Sequence, residues 1–482
     1  MCYELIISAV SSYLLGNSTL QYSITIGLYM ASLGLGSYIS RFLNKKLFKI
    51  FVLIELLIAI VGGFSSLTLF MANLYVEAYE TVMYLEIIAI GTLAGAEIPV
   101  MTRIIEDDES DLKLTLSSIF SFDYIGGLVG SIAFPLLLLP RLGYFGTSFL
   151  AGFLNIVASL LIMFKYGKRV EGIKTLRTVG IGLGVIMICG MVFSNNISNW
   201  IEGGLYRDNI ILIEQTQYQK IVMTKHRDDV RLYIDGNCQF STEDEYRYHE
   251  ALVHIPMNEI KKKDNILVLG GGDGLAAREI LKYNDVKKID LVDLDSEMTK
   301  ICSTNPNITK INQNSLKSEK LHVINYDAYE YLENNKEKYD LIIVDLPDPN
   351  SEVLNKLYSN VFYRMCKASL EDEGVLVVQS TSPYYAPKAY WCVSKTIESE
   401  GFKVKNYHLQ VPAFGDWGFN MASRRDLSEN IDFDVETKYL TKDNVSALFK
   451  FGKDEIANDV EINRLTKPVL MEYYNKAVER WD

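Results

Sequence analysis

An α-helical transmembrane domain followed by an α/β domain with a doubly wound, seven-stranded sheet is the fold class this sequence predicts, and three observations carry the prediction. Charge is divided along the chain: the first 200 of 482 residues hold 25 Asp, Glu, Lys and Arg, and the last 282 hold 83. Long apolar runs fill the sparsely charged part, which reads as lipid-embedded. From about residue 260 onward, short β-rich runs alternate with helical patterns, which calls for a sheet of parallel strands covered by helices.

The membrane elements come first. Stretches of roughly 20 apolar residues, enough for a helix to cross a bilayer, occur near 20–40, 50–72, 82–102, 116–139, 145–164 and 178–194. Six spans are expected within a domain assigned to 1–200. The run 3–16 is short for a seventh, and it lacks the charged start and small-residue cleavage site of a signal peptide. Under alternation Arg41, Lys45, Lys46, Lys49, Arg103, Lys113, Lys165, Lys168, Arg169, Lys174 and Arg177 share one side, against Arg141 on the other. The positive-inside rule puts that basic side in the cytoplasm. Six alternating spans then carry the second half outside, against the chemistry argued below, so one segment is expected to be re-entrant or interfacial. Glu55, Glu86, Glu97 and Asp123 fall in or beside these spans, each a candidate for a cation path or for a packing hydrogen bond.

The soluble elements follow. Runs at 209–214, 219–225 and 231–234, ending at Asp235-Gly236, predict a small antiparallel subdomain over 205–240. Thr242 to Glu250 opens a helix that Pro256 ends or interrupts. Seven strands are expected at 266–269, 288–293, 321–325, 341–345, 374–379, 402–409 and 418–422, in a core over 260–425. The tail 426–482 receives no function. Of the net charge of −12, the second part carries −11, which argues against a nucleic-acid partner and fits a cationic ligand. The six cysteines lack close pairing and predict a reducing compartment without zinc site or disulfide framework.

Ligands in such sheets bind beyond the carboxyl ends of the strands, where the strand order switches. Here those ends carry a set: Gly270-Gly271-Gly272-Asp273-Gly274, Asp293-Leu294-Asp295, Asp327-Ala328 and Asp345-Leu346-Pro347-Asp348-Pro349. Capping explains any one of these acids but strains to explain all four. Glycines allow close backbone approach, and an acid some 20 residues on is placed for ribose hydroxyls. The spacing departs from the dinucleotide fingerprint and suits an adenosyl ligand of the S-adenosylmethionine class. Carboxylates beside a sulfonium point to an amine acceptor, since a carboxylate can take the proton of an ammonium as it becomes a nucleophile.

Tyr218-Gln219-Lys220-Ile221, Asp235 to Gln239, Thr242 to Glu245 with Tyr248-His249-Glu250, Gly270 to Gly274, and Asp345 to Pro349 occur in the order and spacing of the spermidine synthases, the polyamine aminopropyltransferases. Residues 201–425 resemble that family, and the membrane part resembles its multi-pass bacterial branch, including Asp123 to Gly127 and Phe414 to Phe419. The resemblance implies a Rossmann-like, methyltransferase-type sheet and transfer of propylamine from decarboxylated S-adenosylmethionine to putrescine, giving spermidine and 5'-methylthioadenosine. By position it makes Asp345 the proton acceptor. Gln219 and Asp293 become nucleoside contacts, Asp327 with Ala328 the adenine contact, and Gly270 and Gly272 the close-approach glycines. His249, Asp273 and Asp348 become contacts to the polyamine or aminopropyl arm. Two departures stand out: Asp293 replaces the usual Glu, and Leu346-Pro347 replaces a small polar pair beside the acceptor pocket.

The implied reaction needs no metal and no resident cofactor, the decarboxylated S-adenosylmethionine being a co-substrate. The expected partners are polyamine and nucleoside small molecules and the lipid bilayer, with no nucleic acid, in a homodimer or homotetramer at the cell membrane whose catalytic domain faces the cytoplasm. His226, His254, His322 and His408 read as surface or satisfied core groups, and Trp417 as structural. Two rivals are a methyltransferase on the same fold and a polyamine sensor or transporter with a synthase-like ligand domain.

Overall fold

The computed structural model describes residues 2–15, 18–76, 79–106, 112–170 and 172–481. The chain divides into two compact units, 1–207 and 208–482.

Helices in the first unit run over Cys2–Leu15, Ser18–Ser40, Leu47–Gly63, Ser65–Tyr75, Tyr79–Glu106, Leu112–Ala133, Leu139–Lys165, Ile173–Val192 and Ser194–Leu205. The side chains of Lys113 and Lys168 lie outside the described residues. Three helical stretches, Tyr79–Ile105, Ser117–Lys165 and Ile173–Val192, are long and apolar enough to cross a membrane. A fourth is added if Leu47–Gly63 and Ser65–Tyr75, bent by 42°, form one span. That is fewer than the six expected, for two reasons. Ser18–Ser40 has the length, but Ser, Thr, Gln and Tyr interrupt its apolar run. The expected spans 116–139 and 145–164 join end to end through a π-helical turn at Phe134–Leu138 and a kink at Gly143 (φ +64°).

Close contacts fix the helix directions. Gly91 lies against Ser32 and Gly95 against Leu33, while Arg103 donates to the Leu43 and Ser40 carbonyls, so Ser18–Ser40 and Tyr79–Glu106 run parallel. A Cβ on Gly95 would sit 2.1 Å from the Leu33 carbonyl oxygen, the small-residue contact expected of apolar helices packed backbone to backbone. The bent pair between these two helices therefore crosses the unit from end to end and is no re-entrant hairpin. Phe64 on Phe149 and Phe48 on Tyr166 set Leu139–Lys165 antiparallel to it. Ile173–Val192 turns back again, with Gly180 beside Leu160 and Gly190 beside Phe149. Arg41, Lys45, Lys46, Lys165 and Lys174 thus gather at one end, and Ser194–Leu205, where Gly204 faces Leu74, lies at the other.

The second unit opens with an antiparallel sheet of β1 (Asn209–Gln215), β2 (Lys220–His226), β3 (Asp229–Ile234) and β4 (Asn237–Ser241), in sequential order. Strand β4 was not expected. Asp235 (φ +48°) and Gly236 (φ +83°) make a two-residue hairpin rather than the end of the sheet, the geometry that Asp-Gly favours. Helix Glu245–Glu259 then runs through Pro256 without ending there.

The main sheet holds β5 (Asn265–Gly270), β6 (Lys288–Asp293), β7 (Leu321–Asn325), β8 (Tyr339–Asp345), β9 (Leu370–Gln379), β10 (Lys403–Val411) and β11 (Gly415–Ser423). Its order is β10-β11-β9-β8-β5-β6-β7. The sheet is mixed: β7 to β9 run parallel, and β11 pairs antiparallel with both β9 and β10. Continuous apolar runs such as Ile266–Leu269 and Leu341–Val344 are buried on both faces, as strands with helices on either side must be. The tail is part of the fold. Ile431, Leu440 and Phe449 join the core on one face, and Val460, Val469 and Leu470 join it on the other.

Candidate active site

The strand order switches between β5 and β8, and Gly270 at the end of β5 is the register partner of Asp345 at the end of β8. The backbone there is tight. Gly270 takes φ +85°, and a Cβ on it would lie 2.0 Å from the Asp345 carbonyl oxygen; one on Gly272 would lie 2.4 Å from Asp293 Oδ2. Only glycine permits both approaches. The Gly272 amide donates to Asp293 Oδ2 at 3.0 Å and the Asp295 amide to Oδ1 at 2.9 Å. Burial pushes Asp293 up to about 6, against the pull of those two amides.

Three groups meet beside Asp345. Helix Glu245–Glu259 presents Tyr248, whose Oη donates to Asp345 Oδ1 at 2.5 Å, and His249 one residue on. Burial, then the neighbouring Asp273, pushes Asp345 up to about 6, with His249 and the Tyr248 hydrogen bond opposing. Asp273 is buried and accepts the Leu275 amide at 2.8 Å. Burial raises this acid too, and His249 opposes. Burial alone would depress His249, but its Nδ1 lies 2.9 Å from both Glu245 Oε2 and the Glu245 carbonyl oxygen. Glu245, then Asp273 and Asp345, push the imidazole up to about 9, which favours its charged form. Glu245 takes two further bonds from Arg278 Nη1 and Nη2 at 2.8 and 2.9 Å. Despite burial these partners hold it below the usual carboxylate range.

Asp348 lies three residues beyond Asp345, and burial pushes it up to about 6. Gln379, at the end of β9, donates from Nε2 to Asp348 Oδ1 at 3.4 Å and to Tyr358 Oη at 2.8 Å, while its Oε1 accepts from Trp417 Nε1 at 3.2 Å. The Tyr358 hydroxyl donates to the Leu346 and Pro347 carbonyls at 3.2 and 3.0 Å. The unusual Leu346-Pro347 pair is therefore pinned through its backbone.

The remaining predicted residues stand near the ends of β6 and β7. Gln219 Nε2 and Thr216 Oγ1 donate to Asp295 Oδ2 at 2.9 and 2.8 Å, which ties the small sheet to the end of β6. Asp327 caps helix Ala328–Asn334 and accepts from Lys356 at 2.8 Å. Burial resists its ionisation, but Lys356 and the capped amides hold it below the ordinary value. Ala328 is buried behind it.

A spermine/spermidine synthase domain model matches residues 245–434. A polyamine aminopropyltransferase of Oceanobacillus iheyensis is 40% identical over 486 aligned residues, which cover 99% of this chain and 95% of that protein. The chain belongs to the polyamine aminopropyltransferase family. It is a transferase of polyamine biosynthesis. A polyamine aminopropyltransferase of Leptospira interrogans is also 40% identical, over 100% of this chain and 96% of that protein. Among solved structures, a spermidine synthase in complex with the transition-state analogue AdoDATO is 24% identical with a TM-score of 0.48, over 52% of this chain and 88% of that one.

In this aminopropyltransferase the structure brings Gly270, Gly272, Asp273, His249, Asp293 and Asp345 around the β5–β8 crevice, with Asp348 next along the loop after β8. Gln219 and Asp327 turn their polar atoms to protein partners. Tyr248, Gln379 and Tyr358 were missed. Tyr248 lay inside a quoted motif, and Gln379 ends an expected strand, but neither is an acid, and acids were the signal followed. Trp417, read as structural, bonds to Gln379. The other histidines have partners: His254 with Glu279 at 2.7 Å, His322 with Asp290 at 3.3 Å, His226 with Asp208 at 3.5 Å. His408, Asp416 and Glu455 bring three ligand-type atoms within 4.8 Å of one another. Both nitrogens of His408 are already engaged there, with Asp416 Oδ1 and the Lys450 carbonyl oxygen, each at 2.8 Å. A depression of about 380 Å³ lined by Lys261, Asp264, Asp340 and Glu373 lies at the amino ends of β5 and β8, away from the crevice, and the rule for doubly wound sheets gives it no part in the chemistry.

Proposed function

We propose that this chain moves the propylamine group of decarboxylated S-adenosylmethionine to putrescine, forming spermidine and 5'-methylthioadenosine. The observation that carries the reading is the set of acids at the switch point, buried Asp273 with half-buried Asp345 and Asp348, Asp345 being raised to about 6 by desolvation and by Asp273. Such a set attracts a dication, and a base of that strength takes a proton near neutral pH.

In the step, one ammonium of putrescine gives a proton to Asp345 and its nitrogen attacks the propyl carbon bonded to the sulfonium sulfur. A C–N bond forms, the C–S bond breaks, and its electron pair stays on sulfur, which leaves as a neutral thioether. The sulfonium has already activated the carbon, so the chain supplies orientation and one proton transfer. The reading assigns neither a metal nor a resident cofactor. Tyr248 holds Asp345 in place. Asp293 and Gln219 serve the ribose side and Gly270 and Gly272 the close approach of the nucleoside. The Asp327 carboxylate is taken by Lys356, so the adenine contact of Asp327-Ala328 falls to the backbone. Asp273 and His249 serve the aminopropyl arm and Asp348 the far ammonium.

The apolar helices anchor the protein in the cell membrane in this reading, with the catalytic unit at the cytoplasmic face where its donor would be made. The basic end of the helical unit, opposite Ser194–Leu205, stands against that side, and protease accessibility in sealed vesicles decides it. Association through the soluble unit, as a homodimer or homotetramer, completes the proposal. Asp345→Asn tests the reaction. It is expected to fold and bind 5'-methylthioadenosine as the wild type does while turnover falls by about 10²-fold or more, the span of general-base catalysis. Full activity in that variant sinks the mechanism.

A further inference from the structure

The acceptor side of the site includes a residue from the far end of the chain. Helix Val469–Trp481 belongs to the tail that sequence analysis leaves without a function, yet it packs on helix Pro387–Ser399 and on Glu352–Asn355, the turn that follows Asp348. Asn463, fully buried, ties it down. Its Nδ2 donates to the Tyr358 and Asn355 carbonyls at 3.0 and 3.4 Å, and its Oδ1 accepts the Leu470 amide at 3.3 Å. The first turn of the helix is thus clamped to the segment that carries Asp348. One turn later Tyr474, packed on the same apolar cluster as Leu470, hydrogen-bonds the Asp348 carboxylate.

We infer that Tyr474 is a positioning residue for the amine acceptor, acting through Asp348 to orient the carboxylate that receives the ammonium group remote from the reacting nitrogen. The inference deepens the synthase reading and takes the identity of its ligand from it. Asp348 is faced by Gln379 and Thr381 from the end of β9, by the Tyr358 phenol, and by Tyr474 from the terminal helix. The Tyr358 hydroxyl donates to the Leu346 and Pro347 carbonyls. The donors to Asp348 among these, Gln379, Thr381 and Tyr474, are neutral. They orient the carboxylate and favour its ionised form without cancelling its charge, which stays available to a cation. Gln379 Nε2 is divided among Asp348, Tyr358 and the Leu346 carbonyl, so the remaining donors that fix this acid are Tyr474 and Thr381.

Tyr474→Phe removes the donor and keeps the ring. In the full-length protein the KM for putrescine at pH 7 is expected to rise about tenfold, the scale of a hydrogen bond to a charged group. The kcat at saturating putrescine and the KM for decarboxylated S-adenosylmethionine stay within about twofold by the same argument. The rise in putrescine KM as pH falls begins at higher pH, because the Asp348 carboxylate has lost a donor that favours its ionised form. In an Asp348→Asn background the same substitution adds nothing. An unchanged putrescine KM overturns the inference, as does an equal loss for both substrates or an additive effect in the double variant. Calorimetric titration of putrescine into the intact protein separates the two levels of argument. A wild type that binds putrescine more tightly than Tyr474→Phe but transfers nothing keeps the inference and removes the synthase reading. A wild type that does not bind putrescine overturns both.

Discussion

Asp345 is charged only against resistance: it is half-buried and desolvated, faces Asp273, and keeps its carboxylate with the help of the Tyr248 phenol and of His249. A base must be ionised to act, so kcat/KM is expected to fall as pH drops through about 6. Tyr248→Phe removes a donor that favours the ionised form and is expected to move that limb to higher pH; a pH profile of the two proteins checks both statements. An acid limb below pH 5 in the wild type contradicts the assignment of Asp345. At this scale the acids were legible because each lies at the end of a strand or in the turn just after it, a position readable from pattern alone. Tyr248, Gln379 and Tyr358 were not, because what gives them meaning is a partner 97, 31 or 21 residues away in the chain, and a single sequence holds no record of such meetings.

In the proposed reaction the glycine turn after β5 is the element on which donor binding depends. Gly272→Ala drives a Cβ to 2.4 Å from Asp293 Oδ2, so the turn or the carboxylate must shift. The expected result is a protein that still folds, since the strain is confined to the crevice, with the KM for the nucleoside donor raised at least about tenfold, the equivalent of 1.4 kcal/mol. Kinetics with the donor varied at fixed putrescine measure it, and an unchanged donor KM contradicts the placement of the ribose beside Asp293. Most strands were legible as elements because fully buried parallel strands are continuous apolar runs. The failures have physical causes too. Strand β4 was hidden behind a hairpin turn read as a terminus, and Pro256 was accommodated because its neighbours are buried and hold the helix. The tail looked polar because its few apolar residues are spaced as anchors, Ile431, Leu440, Val460 and Leu470, each buried separately against the sheet's helices.

For the whole molecule, the division into two units was written in the charge density, whereas the joining of 116–139 to 145–164 in one bent stretch was not, since apolar length does not show where a helix bends. Contacts among the helices supply the directions instead. They predict that Lys45→Cys and Lys174→Cys, in a cysteine-free background, react with an impermeant maleimide from one side of a sealed vesicle, and Arg141→Cys from the other. Labelling of all three from one side contradicts the parallel course of Ser18–Ser40 and Tyr79–Glu106. The central claim concerns chemistry, and mass spectrometry of products tests it most directly. The full-length protein is given putrescine with either decarboxylated S-adenosylmethionine or S-adenosylmethionine. The account predicts spermidine and 5'-methylthioadenosine in equal amounts from the first donor alone. Methylated amine with S-adenosylhomocysteine from the second, or no product from either, contradicts it.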